Sequence, residues 1–287
     1  MHGWPRSAYG RAVSQLAGPA PTGDVTVTQC LVDCASAYGV RPALVGGAEQ
    51  TYSFAALAST VQRAAAGLAW RGLRPRDVVG VYVPDAASYV LACHAVRAAG
   101  GVPSPVSPRL PVADIAGQLA DCGARMLLTA QPLAAAGLAA ADRSWVRQVV
   151  AFGDAPAATP FKSLLGMGSL RPPTVRPHDL ALLPYVRRAD GMLHPAGLTH
   201  LDLARQLAAL AESTEVGEED VVLASPPAGD GRSYTAFVDH TLLHGATVVA
   251  ARTNEIAAVA AEHSGTAAIV PAGIQVHAPL RLFAVAS

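Results

Sequence analysis

Short apolar runs alternate along this chain with segments of helical period, and that alternation constrains the fold more than any other feature. The run VVGVYV at 78–83 is followed by a helical pattern over 86–99, a short strand with a proline-rich turn at 100–105, a helix over 112–121 and a run at 124–128. Near-continuous apolar strands separated by helices imply a parallel sheet with crossovers on its faces. A second alternation has strands at 180–185, 221–224, 247–250 and 267–270, and helices at 200–212, 234–243 and 254–263. Before both, a helix over 27–38 turns Leu31, Cys34 and Ala35 to one side, and a short hairpin turns around Gly46 and Gly47. Ser53 then caps a helix with Phe54, Leu57, Val61, Ala65 and Leu68 on one face. The expected fold is α/β, with two stacked doubly wound units of mostly parallel sheet. Residues 1–23 form an expected flexible arm, 24–175 the first unit and 176–287 the second, joined through the proline-bearing stretch 153–178.

Composition narrows the function classes. The 287 residues suffice for a sizeable core, and 51% hydrophobic with 15% charged residues argues a well-packed chain. The 21 basic and 21 acidic side chains cancel, which leaves no electrostatic footprint for nucleic acid or an anionic membrane. No apolar segment approaches the roughly 20 residues needed to span a bilayer, and the first residues lack a signal core, so a cytoplasmic location is expected. Cys30 and Cys34 share a helix face, but Cys93 and Cys122 make no second close pair. Reduced, buried thiols are therefore the simpler reading. His240 and His244 stand one helical turn apart without a third ligand in the sequence, so no metal is expected. HExxH, GxSxG and GxGxxG patterns are absent.

The stretch 179–200, DLALLPYVRRADGMLHPAGLTH, has the layout of a strand-to-helix connection, with Thr199 capping the helix that follows. Such a connection holds phosphate through small residues with free amides, through hydroxyls and through a lysine. Residues 186–195 have one glycine, no hydroxyl and no lysine, and they carry Asp190. Arg187, Arg188, Asp190 and His194 could form a new polar site at the mouth of the sheet. Drift of a released surface loop toward solvated residues is the simpler explanation. His200 at the helix start is expected to help terminate the strand. Asp230, Arg232 and Tyr234 follow Gly229, and Asp230 beside a histidine would make an acid/base pair.

Three segments together carry a resemblance: Thr51-Tyr52-Ser53-Phe54, Gly67-Leu68 with 72–79 (GLRPRDVV), and 98–108 (AAGGVPSPVSP). They resemble the amino-terminal part of the adenylate-forming superfamily of acyl-CoA synthetases, aryl-CoA ligases and adenylation domains, over about residues 25–287. The superfamily pattern SSGTTGLPKG follows a tyrosine and precedes LTH. Tyr185, Gly191 and Leu198-Thr199-His200 match it. Val186, Arg187, Ala189 and Asp190 take the hydroxyl positions, Arg188 a glycine, His194 the lysine and Pro195 the last glycine. The resemblance implies a loop for the phosphates of ATP, which these residues cannot hold in that way. A PFFH-type segment would fall on 227–230, with Asp230 in place of the histidine, and the chain stops at Ser287, ahead of the adenine-contacting motif and the small carboxy-terminal domain.

The expectation is therefore a degenerate acyl-CoA-ligase-like protein that is not an ATP-dependent ligase on its own and uses no cofactor. It would act as an accessory protein of acyl, aryl or polyketide metabolism. Its sheet edge would be covered in a homodimer or by a partner protein, with an acyl or aryl small molecule as a further ligand. One alternative is a repurposed ATP-independent enzyme in which Asp230 and His194 are catalytic. Tyr185, Arg187, Arg188, Asp190, His200, Arg232 and Tyr234 would then line its pocket. A second alternative is a half-enzyme completed in trans.

Overall fold

The computed structural model describes residues 26–46, 51–166, 168, 170–171, 173–225 and 231–285. The expected arm lies outside the described residues. Thr26 accepts a hydrogen bond from the Gln29 amide at 3.1 Å, so helix α1 (Val27–Tyr38) begins capped and buries Val27, Cys30, Leu31 and Cys34. β1 (Pro42–Val45) and β2 (Thr51–Ser53) pair antiparallel, as the glycine-centred hairpin requires. Ser53 caps α2 (Phe54–Trp70), whose inward face carries the five residues the helical spacing picks out.

The first sheet is wholly parallel. Its strands are β3 (Val78–Tyr82), β4 (Val102–Pro105), β5 (Met126–Ala130), β6 (Gln148–Phe152) and β7 (Thr159–Pro160), in the order β4-β3-β5-β6-β7. Helices α3 (Ala86–Ala98), α4 (Val112–Asp121) and α5 (Ala134–Ala141) cross between them. The chain then makes two small antiparallel pairs, β8 (Leu180–Leu182) with β11 (Leu198–Thr199) and β9 (Tyr185–Arg187) with β10 (Leu193–Pro195). The single strand expected at 180–185 is thus two strands. Pro184 has no amide to continue a ladder, and the Leu183 amide turns to the Pro103 carbonyl at 2.9 Å.

Helix α6 (His200–Ser213) starts at Thr199 with a full capping box, in which Thr199 and Asp202 each bond the other's backbone amide. β12 (Val221–Ala224), α7 (Arg232–Leu243), β13 (Thr247–Ala250), α8 (Ile256–His263), β14 (Ala267–Pro271) and β15 (Arg281–Val285) follow. The second sheet has the order β15-β14-β12-β13-β1-β2 and is parallel except for the β1–β2 pair. β1 and β2 precede the expected junction near 175 in the sequence, yet they complete this sheet.

α3 sits between the two sheets, touching β3 and β4 on one side and β13 on the other. Its sequence AASYVLACHAVRA is apolar on nearly every side, and all residues from Tyr89 to Arg97 are buried. A helix apolar all round must be enclosed, and here the two sheets enclose it. Close packing elsewhere depends on single glycines. A Cβ on Gly67 of α2 would lie 2.4 Å from the Leu164 carbonyl oxygen and 2.6 Å from its Cα, both rigid backbone atoms. Gly67→Ala is expected to destabilise the fold by about 1–3 kcal/mol through overpacking, read as a lowered urea midpoint at unchanged slope.

Candidate functional site

The segment 186–195 closes on itself. Leu193 pairs with Arg187, His194 with Val186 and Pro195 with Tyr185, so the residues form a hairpin whose tip is 188–192. At the tip the Arg188 amide bonds the Met192 carbonyl at 3.0 Å and the Gly191 amide bonds the Arg188 carbonyl at 2.9 Å. Gly191 adopts φ +78°, the left-handed conformation this turn needs. The Met192 amide bonds Asp190 Oδ1 at 2.8 Å, and Asp190 Oδ2 meets His194 Nε2 at 2.8 Å. The Met192 amide first, then His194, hold the Asp190 carboxyl below its ordinary range. Arg187 bonds the Gly191 carbonyl and pairs with Asp114 of α4 at 3.2 Å. Tyr185 is buried with its hydroxyl on Asp121 of α4; burial, then that bond, raises its pKa. Among the residues expected to form a new site here, only Asp190 and His194 are in contact, and Arg187 turns to Asp114 instead. Arg188 is exposed at the tip.

A denser polar cluster lies beneath. Arg97 of α3 donates from Nη1 to Asp239 Oδ2 of α7 at 3.0 Å and from Nε to the Ala181 carbonyl of β8 at 3.0 Å. His94, one turn earlier on α3, meets Asp239 Oδ1 at 3.1 Å through Nε2 and Thr28 Oγ1 at 3.0 Å through Nδ1. The side chains of Arg97, His94 and Asp239 are at most 4% exposed. Burial alone would raise the Asp239 carboxyl, but Arg97 and His94 beside it hold it below its ordinary value. An ionised carboxylate can only accept, so His94 donates to Asp239 from Nε2, while Nδ1 and the Thr28 hydroxyl share the second hydrogen bond. The sequence signal was a basic pair three residues apart, His94 and Arg97, inside an otherwise apolar helix.

His200 lies at the edge of this cluster. It is 5% exposed, and its Nδ1 has no hydrogen-bond partner among the described residues. Burial first, then the Arg97 charge, lowers its pKa to about 4. Its backbone amide bonds the Asp179 carbonyl at 3.0 Å, which ties the helix start to the strand before the hairpin. His200 is a neutral core group, not a pocket wall open to solvent.

The remaining expected residues sit apart from the hairpin. Tyr234 is fully buried on α7, its hydroxyl on the Ser225 carbonyl at 2.7 Å and its ring edge-on to Tyr89. Tyr89 in turn bonds Thr235 at 2.6 Å. Arg232 opens α7, and Asp230 lies outside the described residues. The His240 and His244 rings meet edge-on with centroids 4.2 Å apart, and burial lowers both pKa values. No group of three His, Cys, Asp or Glu side chains arranged for a metal occurs among the described residues. Burial pushes the Cys30 and Cys34 thiols up to about 12, which fits neutral packing groups. No helix among the described residues is long and apolar enough to cross a membrane.

Two parallel sheets enclosing a central helix, followed by a strand, a loop and a capped helix, define the amino-terminal domain of adenylate-forming enzymes. A long-chain-fatty-acid-CoA ligase from Archaeoglobus fulgidus superposes with TM-score 0.75 at 20% identity, over 86% of this chain and 51% of that one. An anthranilate CoA ligase solved with anthranoyl-AMP superposes at 0.77 and 16% identity, over 86% and 49%. The family model described as AMP-binding enzyme matches residues 31–277, and the chain belongs to that family. Relatives include a 4-coumarate--CoA ligase-like protein of Oryza sativa, 30% identical over 78% of this chain and 42% of its own length. A feruloyl-CoA synthase of an Amycolatopsis species is 30% identical over 71% of this chain and 39% of its own length. The chain spans about two fifths of the length of these curated relatives.

Removing Arg97 alone strands a buried carboxylate. Arg97→Met is expected to cost about 3–5 kcal/mol, and pairing it with Asp239→Leu should recover much of that loss, as a urea double-mutant cycle would measure. Acid sensitivity follows from His200. Between its ordinary 6.5 and the folded value of about 4, the unfolded chain binds a proton that the folded chain does not. Stability is therefore full above pH 6.5 and falls as the pH drops toward 4, with His240, lowered to about 3, extending the fall. His200→Gln should reduce the dependence of the denaturant midpoint between pH 7 and 5, leaving the share that His240 and His244 contribute.

Proposed function

We propose that this chain does not form acyl adenylates and serves acyl, aryl or polyketide metabolism as a cytoplasmic accessory protein. The observation that carries this reading is the hairpin at 185–195. In the position of a phosphate-holding loop, the amides of Arg188, Gly191 and Met192 are all spent within the turn. A phosphate gains from such a loop only when amides point outward and positive charge faces it. Here the tip presents the Asp190 carboxylate, and residues 186–195 offer neither hydroxyl nor lysine. Opening the hairpin to free its amides would break its β-pairing and the Arg187 and Tyr185 links to α4. Similarity to a 4-coumarate--CoA ligase-like protein and to a feruloyl-CoA synthase supports the metabolic setting.

Incubating the full chain with ATP, magnesium, hydroxylamine and a panel of aromatic and aliphatic acids should yield no hydroxamate above the enzyme-free control. ATP-dependent product with any acid would overturn the reading. The same reading assigns the outer edge of β15, which pairs with β14 on one side and leaves Leu282 exposed, to contact with a second copy or another protein. Light scattering on the purified chain should then give a mass above the monomer or a co-purified partner; a clean monomer that binds no apolar dye counts against it.

A further inference from the structure

Arginines gather at the amino ends of β3, β5 and β6. Arg74 and Arg76 lie in the turn before β3, Arg125 immediately before β5 and Arg147 immediately before β6, and Arg71 closes α2 on the same side. The Arg147 amide bonds the Arg125 carbonyl at 2.9 Å, so these two residues are neighbours. All five arginines line one hollow of about 620 Å³. Arg71, Arg147 and Gln148 also line a second hollow of about 830 Å³, whose wall includes Trp70, Val149 and Pro160. Small ligands of open α/β sheets usually sit at the opposite, carboxyl ends of the strands.

Most of this positive charge is unanswered. Arg76 pairs with Asp179 at 2.9 Å, and Arg71 donates to the Ser163 hydroxyl at 3.2 Å. Arg74, Arg125 and Arg147 are exposed and form no ion pair among the described residues. Among the described residues, Asp77 is the one acidic side chain lining either hollow, and it accepts from the Arg74 amide at 2.9 Å. The carboxyl ends of α2 and α4 meet this side and together carry about one negative charge, which does not balance the group. A second observation points to a protein surface. Trp70 is 70% exposed, and Trp145, two residues before Arg147, is 69% exposed. Tryptophan is a highly buried residue type on average, and exposed tryptophan beside arginine is the composition from which the centres of protein–protein contacts are built.

We propose that this face docks an acidic segment of a partner protein, its carboxylates on Arg74, Arg125 and Arg147 and an apolar or aromatic side chain beside Trp70. Guanidinium groups take carboxylates through paired hydrogen bonds, and the charge left over on this face selects an acidic partner. Two adjoining hollows fit a segment that inserts side chains. An anionic bilayer calls for a continuous apolar face, and a nucleic acid for a basic excess that a chain with 21 basic and 21 acidic residues lacks. The proposal holds whether or not the chain forms adenylates, and it concerns a different sheet from the one that β15 borders.

The test is selection of random short peptides displayed on phage against the full chain, followed by titration of the recovered peptides, labelled, by fluorescence polarisation. The recovered peptides should be rich in Asp and Glu with an aromatic or leucine anchor, and their affinity should fall as salt is added. Arg125→Glu and Arg147→Glu together should weaken binding about tenfold or more, and Trp70→Ala about thirtyfold, the scale of a central contact residue. All three positions are exposed, and an unchanged urea midpoint verifies folding in each variant. Vesicles of phosphatidylcholine with phosphatidylserine, and polyuridine RNA, should not displace the peptide. Recovery of no peptide, peptides without acidic residues, unchanged affinity in the folded variants, or displacement by the vesicles or the RNA would overturn the proposal.

Discussion

The Arg97–Asp239 ion pair is the interaction on which the arrangement of this molecule turns. It joins the helix between the two sheets to a helix of the second sheet, and through the Ala181 carbonyl it also reaches the strand before the hairpin. In a low-dielectric interior such a pair gives little net stability over apolar residues of the same volume, but losing one partner is expensive. Its effect is to fix register. α3 has apolar residues on almost every side, so hydrophobic burial alone leaves its rotation between the sheets weakly specified. Arg97 and His94 specify it, because only one rotation places both on Asp239.

That fixed helix explains why α1 and the hairpin strands β1 and β2 belong with two structural neighbourhoods at once. Thr28 of α1 is held by His94, while β1 lies parallel to β13 in the second sheet, with Leu44 opposite Val248. The described residues up to Ser53 therefore tie the two sheets together. A division of the chain at one point in the sequence would separate β1 and β2 from the sheet they complete.

Much of the fold was legible because period and punctuation agree. VTQCLVDCASAY, the Ser53 and Thr199 caps, and the runs at 221–224 and 247–250 all lie where pattern and capping put them. Helix α5, AAAGLAAA, carries no period because alanine fits either face. The break at Pro184 was visible as a proline but was outweighed by five apolar neighbours. The site was less legible. The sequence could say that 186–195 has no hydroxyl and no lysine, but not that the segment would fold back on itself, since the contacts that anchor it come from Asp114 and Asp121 of a helix distant in sequence. The buried cluster went unread because Thr28, His94, Arg97 and Asp239 are separated by up to 211 residues and none sits in a motif.

The hairpin and its flanks obey different constraints, which is why the flanks match the family pattern and the segment between them does not. Leu198-Thr199-His200 is fixed by the interior: Leu198 is buried, Thr199 builds the capping box, and His200 packs beside Arg97. None of those roles requires a ligand. The loop between the flanks has no interior duty, since its own tip is solvent-exposed and only an anion outside it would require free amides and small residues. Pairing β9 with β10 satisfies the backbone within the segment itself, and Gly191 supplies the left-handed backbone that the turn needs. The same glycine thus fits two different physical requirements, and its match to the family pattern carries no information about which of them is met.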